Sequence, residues 1–388
     1  MRIALVIHQL DPAAGGVEQW TWQFAQSMLA AGHEVHVVAM RFSPAAQTSG
    51  LICHAIPAGE LSGPKRLAFA RRAEELLRTL AVDVVHDTGV GWHCDIFQPH
   101  GGSRMAAFEQ NLLLMPAALR SWKRRLAGFL PRHREFAELN RRQYAADGRI
   151  VLALSQMVAR DMQRLHGVPA ERMRIIYNGV DTERFAPCLA GEHRQPIRAG
   201  LGLPDDTPLA LIVAHNFALK GVPAAIRAVG RLAAVGMPWH LAVVGGKRTA
   251  RYEALARRCG AGRLVHFVGP VADAAPYYGA ADLYVQPTWY DPCSLVLLEA
   301  LACGLPVITT RFNGAGELLT GAEGEVLNDP GDDAQLAQSL GRYLDPATRQ
   351  QAGAAARHLA LRHTWQQNCR QIAAVYDEAV AKEVRRAA

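Results

Sequence analysis

Two carboxylates eight positions apart are the most informative feature of this chain. Asp291 stands in a loop that contains a proline, and Glu299 lies inside the apolar segment that follows. This segment has helical spacing and stops at Gly304, and a strand is predicted over 305–310. The first N–H groups of such a helix can hold phosphate oxygens, while carboxylates accept hydrogen bonds from sugar hydroxyls. The pattern therefore indicates a site for a nucleoside diphosphate joined to a sugar.

A core helix that tolerates one glutamate is the alternative interpretation of this segment. A buried carboxylate without a partner is costly, so a lone glutamate in an apolar run would favour that alternative. Here Glu299 is accompanied, at the expected spacing, by Asp291, the turn at 304–306 and the strand after it. This combination favours a functional helix.

A loop with a lysine precedes another predicted helix in the same half of the chain. Lys220 stands directly before Gly221, where its ammonium group can provide a point charge for a diphosphate. A further loop, at Gly245, follows the strand predicted over 240–244 and continues with Lys247. Both loops are predicted to lie on the nucleotide side of a site.

Glycines follow the first predicted strand, and a histidine lies in a glycine-rich loop further along. Gly15 and Gly16 allow either a tight strand-to-helix turn or a close approach of substrate to the backbone. Their spacing differs from Gly-x-Gly-x-x-Gly, which argues against a dinucleotide cofactor. His100 is presented at a strand end, where it can bond a ligand, and Asp87 and Asp95 are weaker candidates for acceptor contacts.

Strands and helices alternate throughout the chain, which predicts two doubly wound α/β domains. The predicted boundary falls in 186–206, a segment rich in proline, glycine and charge. Ligands of open parallel sheets bind at the carboxyl ends of the strands, so we expect the site in a cleft between the domains.

The segment 290–307 resembles the donor-site motif of retaining glycosyltransferases of family 4. The shared pattern is an acidic residue, seven intervening residues, a glutamate and then Ala-x-Ala-x-Gly-x-Pro-Val. Asp291 takes the place of the commoner glutamate. The resemblance covers almost the whole chain and implies the GT-B fold. It implies Rossmann-like domains over 1–185 and 186–364, with a C-terminal helix, 365–388, that packs on the first domain.

The resemblance also implies roles for individual residues. The implied catalytic residues are His100, Lys220 and Asp291. The implied donor-binding residues are Gly15, Gly16, His215, Asn216, Lys220, Gly245, Lys247, Asp291, Cys293, Ser294, Leu295, Val296 and Glu299. The implied acceptor-side residues are Gly16, Glu18, His100, Gly101 and Ser103. His215 stands where the family has a second phosphate-binding cation, an arginine. No metal and no cofactor is implied, only a nucleotide diphosphate sugar as co-substrate.

The implied reaction transfers a sugar from a UDP- or GDP-linked donor to a hydroxyl of a cell-envelope glycan or glycolipid, such as lipopolysaccharide core, with retention of configuration. Two alternatives stay open. One is a glycosyltransferase-like subunit without activity, and the other is a nucleotide-sugar epimerase or hydrolase of the same fold. A nicotinamide-dependent oxidoreductase is disfavoured by the glycine spacing.

The formal charge of +7 suggests an acidic partner, and much of the excess lies in 120–149, with nine Lys or Arg against three Asp or Glu. Trp122, Phe129 and Leu130 interrupt these charges, which fits either a solvated helix face or an interfacial segment on anionic lipid. No nucleic-acid recognition motif supports a third interpretation. Seven cysteines without metal-like spacing and the lack of a long apolar run predict a cytoplasmic enzyme, peripheral on the membrane if the segment binds lipid.

Overall fold

The computed structural model describes residues 1–127 and 130–387, so Phe129 of the basic segment lies outside the described residues. The chain divides into two compact units. The first comprises Met1–Ile176 and the chain from Asn368 onward, and the second comprises Tyr177–Gln367.

The first unit is built on a parallel sheet of seven strands. Its strands, with a separate two-stranded ladder of β2 and β4, are β1 (Arg2–Val6), β2 (Gln9–Leu10), β3 (Glu34–Ala39), β4 (Arg41–Phe42), β5 (Ile52–Ala55), β6 (Val84–Asp87), β7 (Ile96–Phe97), β8 (Ile150–Ala153) and β9 (Met173–Ile175). The large sheet has the order β5-β3-β1-β6-β7-β8-β9. The helices are α1 (Gly16–Ala30), α2 (Pro44–Gln47), α3 (Lys65–Leu77), α4 (Arg104–Leu113), α5 (Ala117–Ala127), α6 (Pro131–Gln143) and α7 (Gln156–His166).

The second unit repeats this plan with six parallel strands. They are β10 (Leu209–Val213), β11 (His240–Val244), β12 (Val265–Gly269), β13 (Leu283–Gln286), β14 (Val307–Thr310) and β15 (Gly324–Leu327). Their order is β12-β11-β10-β13-β14-β15. The helices are α8 (Leu189–Gly200), α9 (Val222–Ala234), α10 (Ala250–Arg258), α11 (Ala275–Ala280), α12 (Leu295–Ala302), α13 (Asp333–Arg342), α14 (Pro346–Ala360) and α15 (Trp365–Ala387).

Both sheets are covered on two faces, which explains the nearly continuous apolar runs of their central strands. Every residue of β8, β13 and β14 is buried. In the second unit, Trp239 is fully buried in the core and its indole N–H donates to Leu340 O at 3.0 Å. The prediction of two doubly wound α/β units is confirmed by these sheets.

The segment between the predicted domains differs from the expectation. The domain boundary was predicted within 186–206, but α8 occupies most of these residues and contains Pro196. Arg198 of this helix is completely buried and donates to Asp282 Oδ2 at 2.5 Å. The division between the compact units falls earlier, after Ile176. The proline and the two glycines of this segment are typical of loops, so the sequence pattern did not predict the helix, which a buried ion pair stabilises.

The last helix, α15, joins the packing of the first unit. Tyr376 Oη lies 2.7 Å from His86 Nδ1, and both residues are fully buried. Arg174, in β9, donates to Glu378 at 2.6 Å. The helix therefore contacts the first sheet, as the resemblance to the GT-B fold implies.

Each sheet carries a pair of histidines on its outermost strand and the strand beside it. In the first unit, His36 Nδ1 lies 2.9 Å from His54 Nε2. In the second unit, His240 Nδ1 lies 2.9 Å from His266 Nε2. Burial lowers the pKa of His54, His240 and His266. In each of these hydrogen bonds one ring must accept, so each pair is formed with at least one neutral imidazole.

Candidate functional site

Two of the predicted site residues form an ion pair in the second unit. Lys220 Nζ donates to Asp291 Oδ2 at 2.5 Å, although the residues are 71 positions apart. Both side chains are partly covered, with 23% and 11% of their surface exposed. The structure thus brings together the predicted phosphate-binding cation and the predicted sugar-binding carboxylate.

Close backbone packing places Lys220 beside Asp291. Gly221 has a φ of +80°, and a Cβ built on it would lie 2.0 Å from Pro287 O. The neighbouring carbonyl of Leu219 accepts a hydrogen bond from the backbone N–H of Trp289 at 2.8 Å. Only glycine allows this approach and this backbone conformation together. The Lys-Gly loop is therefore fixed to the chain that follows β13.

Two buried amide side chains, which the sequence pattern did not predict as site residues, lie behind Asp291. Gln286 is fully buried; its Nε2 donates to Asp291 Oδ2 at 3.4 Å, and its Oε1 accepts from Ser294 Oγ at 2.9 Å. Asn313, also fully buried, donates from Nδ2 to Gln286 Oε1 at 3.2 Å. Its Oδ1 accepts from the backbone N–H of Ser294 at 3.3 Å. These bonds connect the loop carboxylate to the start of α12.

The predicted donor helix begins one residue after its cap, Ser294. Ser294 Oγ accepts from the backbone N–H of Leu297 at 3.4 Å. Helical geometry gives the N–H groups of Leu295 and Val296 no acceptor within the helix. Both residues are half-buried. The helix start therefore presents two backbone donors that can bind anionic oxygens.

Glu299 lies in the second turn of α12 with a phenol as its partner. Tyr278 Oη donates to Glu299 Oε2 at 2.7 Å. Burial raises the pKa of the Glu299 carboxyl to about 7, while the bond from Tyr278 and the charge of Arg184 act against this rise. The carboxyl thus titrates near neutral pH and can accept hydrogen bonds from vicinal hydroxyls when it is ionised.

Cys293 serves the site through its backbone. Asn178 donates from Nδ2 to Cys293 O at 2.8 Å and from its backbone N–H to Cys293 Sγ at 3.4 Å. Burial raises the pKa of the Cys293 thiol, so the group stays protonated and unreactive. The buried thiol packs in this turn, and the resemblance implies a donor contact for the same residue.

The remaining predicted donor residues line loops near strand ends of the second unit. His215, Asn216 and Lys247 are exposed. Gly245 has a φ of +98°, and a Cβ on it would lie 2.4 Å from Ala214 O. This contact brings the loops after β10 and β11 together. The family's second phosphate-binding arginine has no counterpart here, and the side chains available in its place are exposed.

His100 of the first unit is buried against an aromatic residue. Its ring centroid lies 4.3 Å from that of Trp20, and 9% of the residue is exposed. Burial lowers the pKa of His100 to about 3, and the neighbouring His86 acts in the same direction. Its Nε2 has no hydrogen-bond partner within the described part of the chain. His100 is therefore a neutral hydrogen-bonding group at physiological pH.

Other polar residues that were predicted for the acceptor side stabilise the fold. Asp87 accepts from the backbone N–H groups of Gly89, Val90 and Gly91, each at 2.7 Å. Asp95 accepts from the backbone N–H of Val85 at 2.7 Å.

Ser103 has a structural contact of the same kind. Its Oγ caps α4 by accepting from Ala106 N–H at 3.3 Å and lies 3.0 Å from His166 Nε2. Asp87, Asp95 and Ser103 thus have intramolecular bonds that account for their presence without a ligand.

The predicted glycines of the first unit lie in loops at the surface or at the start of a helix. Gly16 and Gly101 are exposed, and Gly15 precedes the helix in an extended conformation with a φ of 172°. Glu18 lies in the first turn of α1, where a carboxylate is favoured by the helix dipole.

The basic segment is divided between two helices with different surroundings. On α6, Arg141 and Arg142 bond to Glu138, both at 2.8 Å. On α5, Trp122 is 65% exposed and Leu119 is 47% exposed. Lys123, Arg124 and Arg125 of the same helix are also exposed. Exposed basic and apolar side chains therefore lie together on α5.

Among the described residues, no helix combines the length and apolar character that a bilayer crossing needs. Within 1–127 and 130–387, no three His, Cys, Asp or Glu side chains converge in a metal-binding arrangement.

Comparison with known proteins assigns the two halves of the chain. Residues 14–184 match the profile of Glycosyltransferase Family 4. Residues 208–345 match the profile of Glycosyl transferases group 1.

Curated relatives match over part of their length. The chain is 31% identical to the D-inositol 3-phosphate glycosyltransferase of Acidothermus cellulolyticus over 62% of this chain and 57% of that protein. It is 30% identical to the lipopolysaccharide glucosyltransferase WaaG of Escherichia coli over 59% of this chain and 62% of that protein. The matched region thus spans about half to three-fifths of the relatives.

Solved structures match over nearly the whole chain. The crystal structure of WaaG has a TM-score of 0.81 at 23% identity and covers 96% of this chain and 99% of its own. Anabaena Alr3699/HepE, in complex with UDP and glucose, has a TM-score of 0.72 at 18% identity and covers 97% of this chain and 99% of its own. At such identities the likeness establishes the fold, which is GT-B.

Proposed function

Since the chain belongs to the glycosyltransferases of family 4 and group 1, whose profiles it matches, we propose that it transfers a sugar from a nucleotide diphosphate sugar to an acceptor hydroxyl. The anomeric configuration would be retained, and the nucleotide would be UDP or GDP. The acceptor would be a cell-envelope glycan or glycolipid, such as lipopolysaccharide core.

One observation carries this proposal: a cation, a carboxylate and an open helix start are held in one bonded network. Lys220 lies 2.5 Å from Asp291, and Gln286 links Asp291 to the cap of α12. The cation and the free N–H groups of α12 would stabilise the diphosphate as it leaves. Glu299, further along the helix, would accept hydrogen bonds from the ribose hydroxyls.

A donor panel tests the proposal. Release of nucleoside diphosphate is measured for UDP- and GDP-linked hexoses, with and without a lipid-linked core acceptor. Transfer that requires the acceptor supports the proposal, and the anomeric configuration of the product, determined by NMR, tests retention. Release without acceptor would identify a hydrolase. Interconversion of sugars at constant nucleotide would identify an epimerase.

A glycosyltransferase-like subunit without activity is the second candidate. The observation that favours it is the exposed His215, which stands where the family has an arginine on the phosphates. Binding of nucleotide sugar without turnover of any donor and acceptor pair would support this candidate. Gain of turnover in His215→Arg would explain it.

The partner of α5 is proposed to be an anionic membrane or a phosphorylated glycolipid. Trp122 and Leu119 would enter the interface, while Lys123, Arg124 and Arg125 would meet the headgroups. Each basic residue near an anionic surface contributes about 1 kcal/mol, which gives reversible binding without a spanning helix. This would place the protein on the inner face of the cytoplasmic membrane.

Vesicle sedimentation tests this docking. Anionic vesicles at low salt should retain the protein, and neutral vesicles or high salt should release it, because salt screens exposed charges. Replacement of Trp122 by Ser should weaken binding at every salt concentration. Equal binding to neutral and anionic vesicles would contradict the proposal.

A further inference from the structure

The charged groups of the candidate donor site neutralise each other. Lys220 Nζ lies 2.5 Å from Asp291 Oδ2, and both side chains are partly shielded from water. A diphosphate that binds Lys220 must therefore compete with Asp291 for the ammonium group. A sugar hydroxyl that binds Asp291 must likewise compete with Lys220.

An intact nucleotide sugar can satisfy both groups at once. Its phosphate oxygens form charge-assisted hydrogen bonds with an ammonium group, and its sugar hydroxyls donate to a carboxylate. A nucleoside diphosphate without the sugar satisfies only the ammonium group. It leaves a shielded carboxylate without its cation and close to phosphate charges, which is costly.

The two partners differ in how firmly they are held. Asp291 is fixed by its backbone, since its N–H donates to Phe312 O at 2.8 Å and its carbonyl accepts from Gly314 N–H at 2.8 Å. The buried Gln286 amide holds its carboxylate from behind at 3.4 Å. Lys220 reaches the pair through a flexible four-carbon stem. Lys220 is therefore the partner that can move while the carboxylate stays in place.

We propose, resting on the transfer function proposed above, that the Lys220–Asp291 ion pair is exchanged when the donor binds. The diphosphate takes Lys220 from Asp291, and a hydroxyl of the donor sugar takes its place on the carboxylate. Asp291 thereby becomes a specificity-determining residue that favours the nucleotide sugar over the nucleoside diphosphate product. The same competition speeds release of the product, because Asp291 reclaims Lys220.

Calorimetric titration with UDP, GDP and the corresponding hexose derivatives tests the exchange. Asp291→Asn keeps the shape of the side chain, removes its charge and frees Lys220. This variant should bind the nucleoside diphosphate about tenfold more tightly than the wild type. Its preference for nucleotide sugar over nucleoside diphosphate should fall, and turnover should fall at least tenfold. Adding Lys220→Met to this variant should abolish the gain in affinity.

Asp333→Asn is the matched control, because Asp333 pairs with Arg231 at 2.6 Å on another surface of the same unit. It should leave nucleotide affinity unchanged. Unchanged or weaker binding of nucleoside diphosphate to Asp291→Asn would overturn the exchange and leave the transfer function standing. A wild type that binds no nucleotide of the panel would overturn both.

A measurement without ligand decides whether the ion pair exists in the free protein. Urea unfolding of Lys220→Met, Asp291→Asn and the double variant gives the coupling between the two side chains. The coupling should be at least about twofold in the unfolding equilibrium constant. Purely additive effects would show that the pair is absent, and the exchange would then fail whatever the nucleotide affinities are.

Discussion

The two units use their predicted polar residues in opposite ways. In the second unit, Lys220 and Asp291 bond to each other, and the amides behind them connect the pair to the start of α12. In the first unit, Asp87 and Ser103 bond to backbone N–H groups of their own loop and helix. The second unit thus carries a network that includes charged groups available to a ligand. The first unit carries polar residues that mostly stabilise turns and caps.

This difference predicts that a strand-end position does not by itself make a polar residue functional. His100 is the exception in the first unit, since its buried Nε2 has no partner among the described residues. Substitutions should therefore separate the two units. Those in the second unit should alter nucleotide affinity, whereas those at Asp87 and Ser103 should alter stability.

The largest effect is expected for Lys220→Ala. The variant loses a charge-assisted contact to the diphosphate, worth about 1.5–3 kcal/mol. Comparing the affinities of nucleoside monophosphate and diphosphate measures this contact, because only the second phosphate should be affected. An unchanged preference for the diphosphate would assign the role to Lys247 or to Arg248, the next residue in the same loop.

The next effect is on stability and concerns Asp87→Asn. The asparagine would turn an N–H donor toward backbone N–H groups that Asp87 now satisfies at 2.7 Å. The free energy of unfolding should fall by about 2 kcal/mol, as measured by urea denaturation, without a change in nucleotide affinity. Asp83→Asn is the control, since Asp83 pairs with Arg2 at the surface and contributes little. A rise in acceptor KM at full stability would mean that Asp87 contacts the acceptor.

Glu299→Gln should weaken donor binding at least tenfold, about 1.4 kcal/mol, if the carboxylate holds the ribose. It should also change the pH dependence of stability. Burial raises the pKa of Glu299 from 4.5 to about 7, so the folded protein retains a proton that the unfolded chain has released between these values.

The contribution of Glu299 to stability therefore falls as pH rises from about 4.5 to about 7. The variant lacks this contribution, so the difference in unfolding free energy between the wild type and the variant should change in the variant's favour over this range. Urea unfolding at pH 5 and pH 8 measures it, with donor titration at pH 8. A variant that matches the wild type in both measurements would refute the assignment.

The smallest effect is expected for Ser103→Ala, which removes the cap of α4. Such a cap contributes about 1 kcal/mol, so the midpoint of unfolding should shift modestly. Ser155→Ala, at the start of α7, is the matched control because Ser155 Oγ also caps a helix, through Val158 N–H at 3.2 Å. Similar losses in both variants, with unchanged acceptor KM, would support a structural role. A rise in acceptor KM for Ser103→Ala, without such a rise for Ser155→Ala, would show that Ser103 contacts the acceptor.

The sequence predicted the elements whose signals are local. The ends of α7 are an example, because Ser155 is a typical N-cap residue and Gly167 a typical residue after a helix. Helix α8 was missed because its proline and glycines are typical of loops, and its stability comes from a distant aspartate.

The site followed the same rule. The carboxylates and Lys220 were found from their spacing and flanking residues. Gln286 and Asn313 were missed because a lone amide in an apolar strand or a turn has no periodic signal. The ion pair between residues 71 positions apart depends on the close approach of Gly221 to Pro287, which only the folded chain shows.

The histidine pairs on the outer strands make the stability of the protein sensitive to acid, independently of any pH dependence of the transfer reaction. Since burial lowers the pKa of His54, His240 and His266 below 6.5, the folded state binds fewer protons than the unfolded chain as the medium is acidified. Stability that is present above pH 6.5 is lost as pH falls toward the lowered values. Low pH, as in acid elution or acidic storage buffers, would thus destabilise both sheets at these edges. The outermost strands would thus contribute to the acid limit of the protein, together with the buried His100, whose pKa is lowered to about 3.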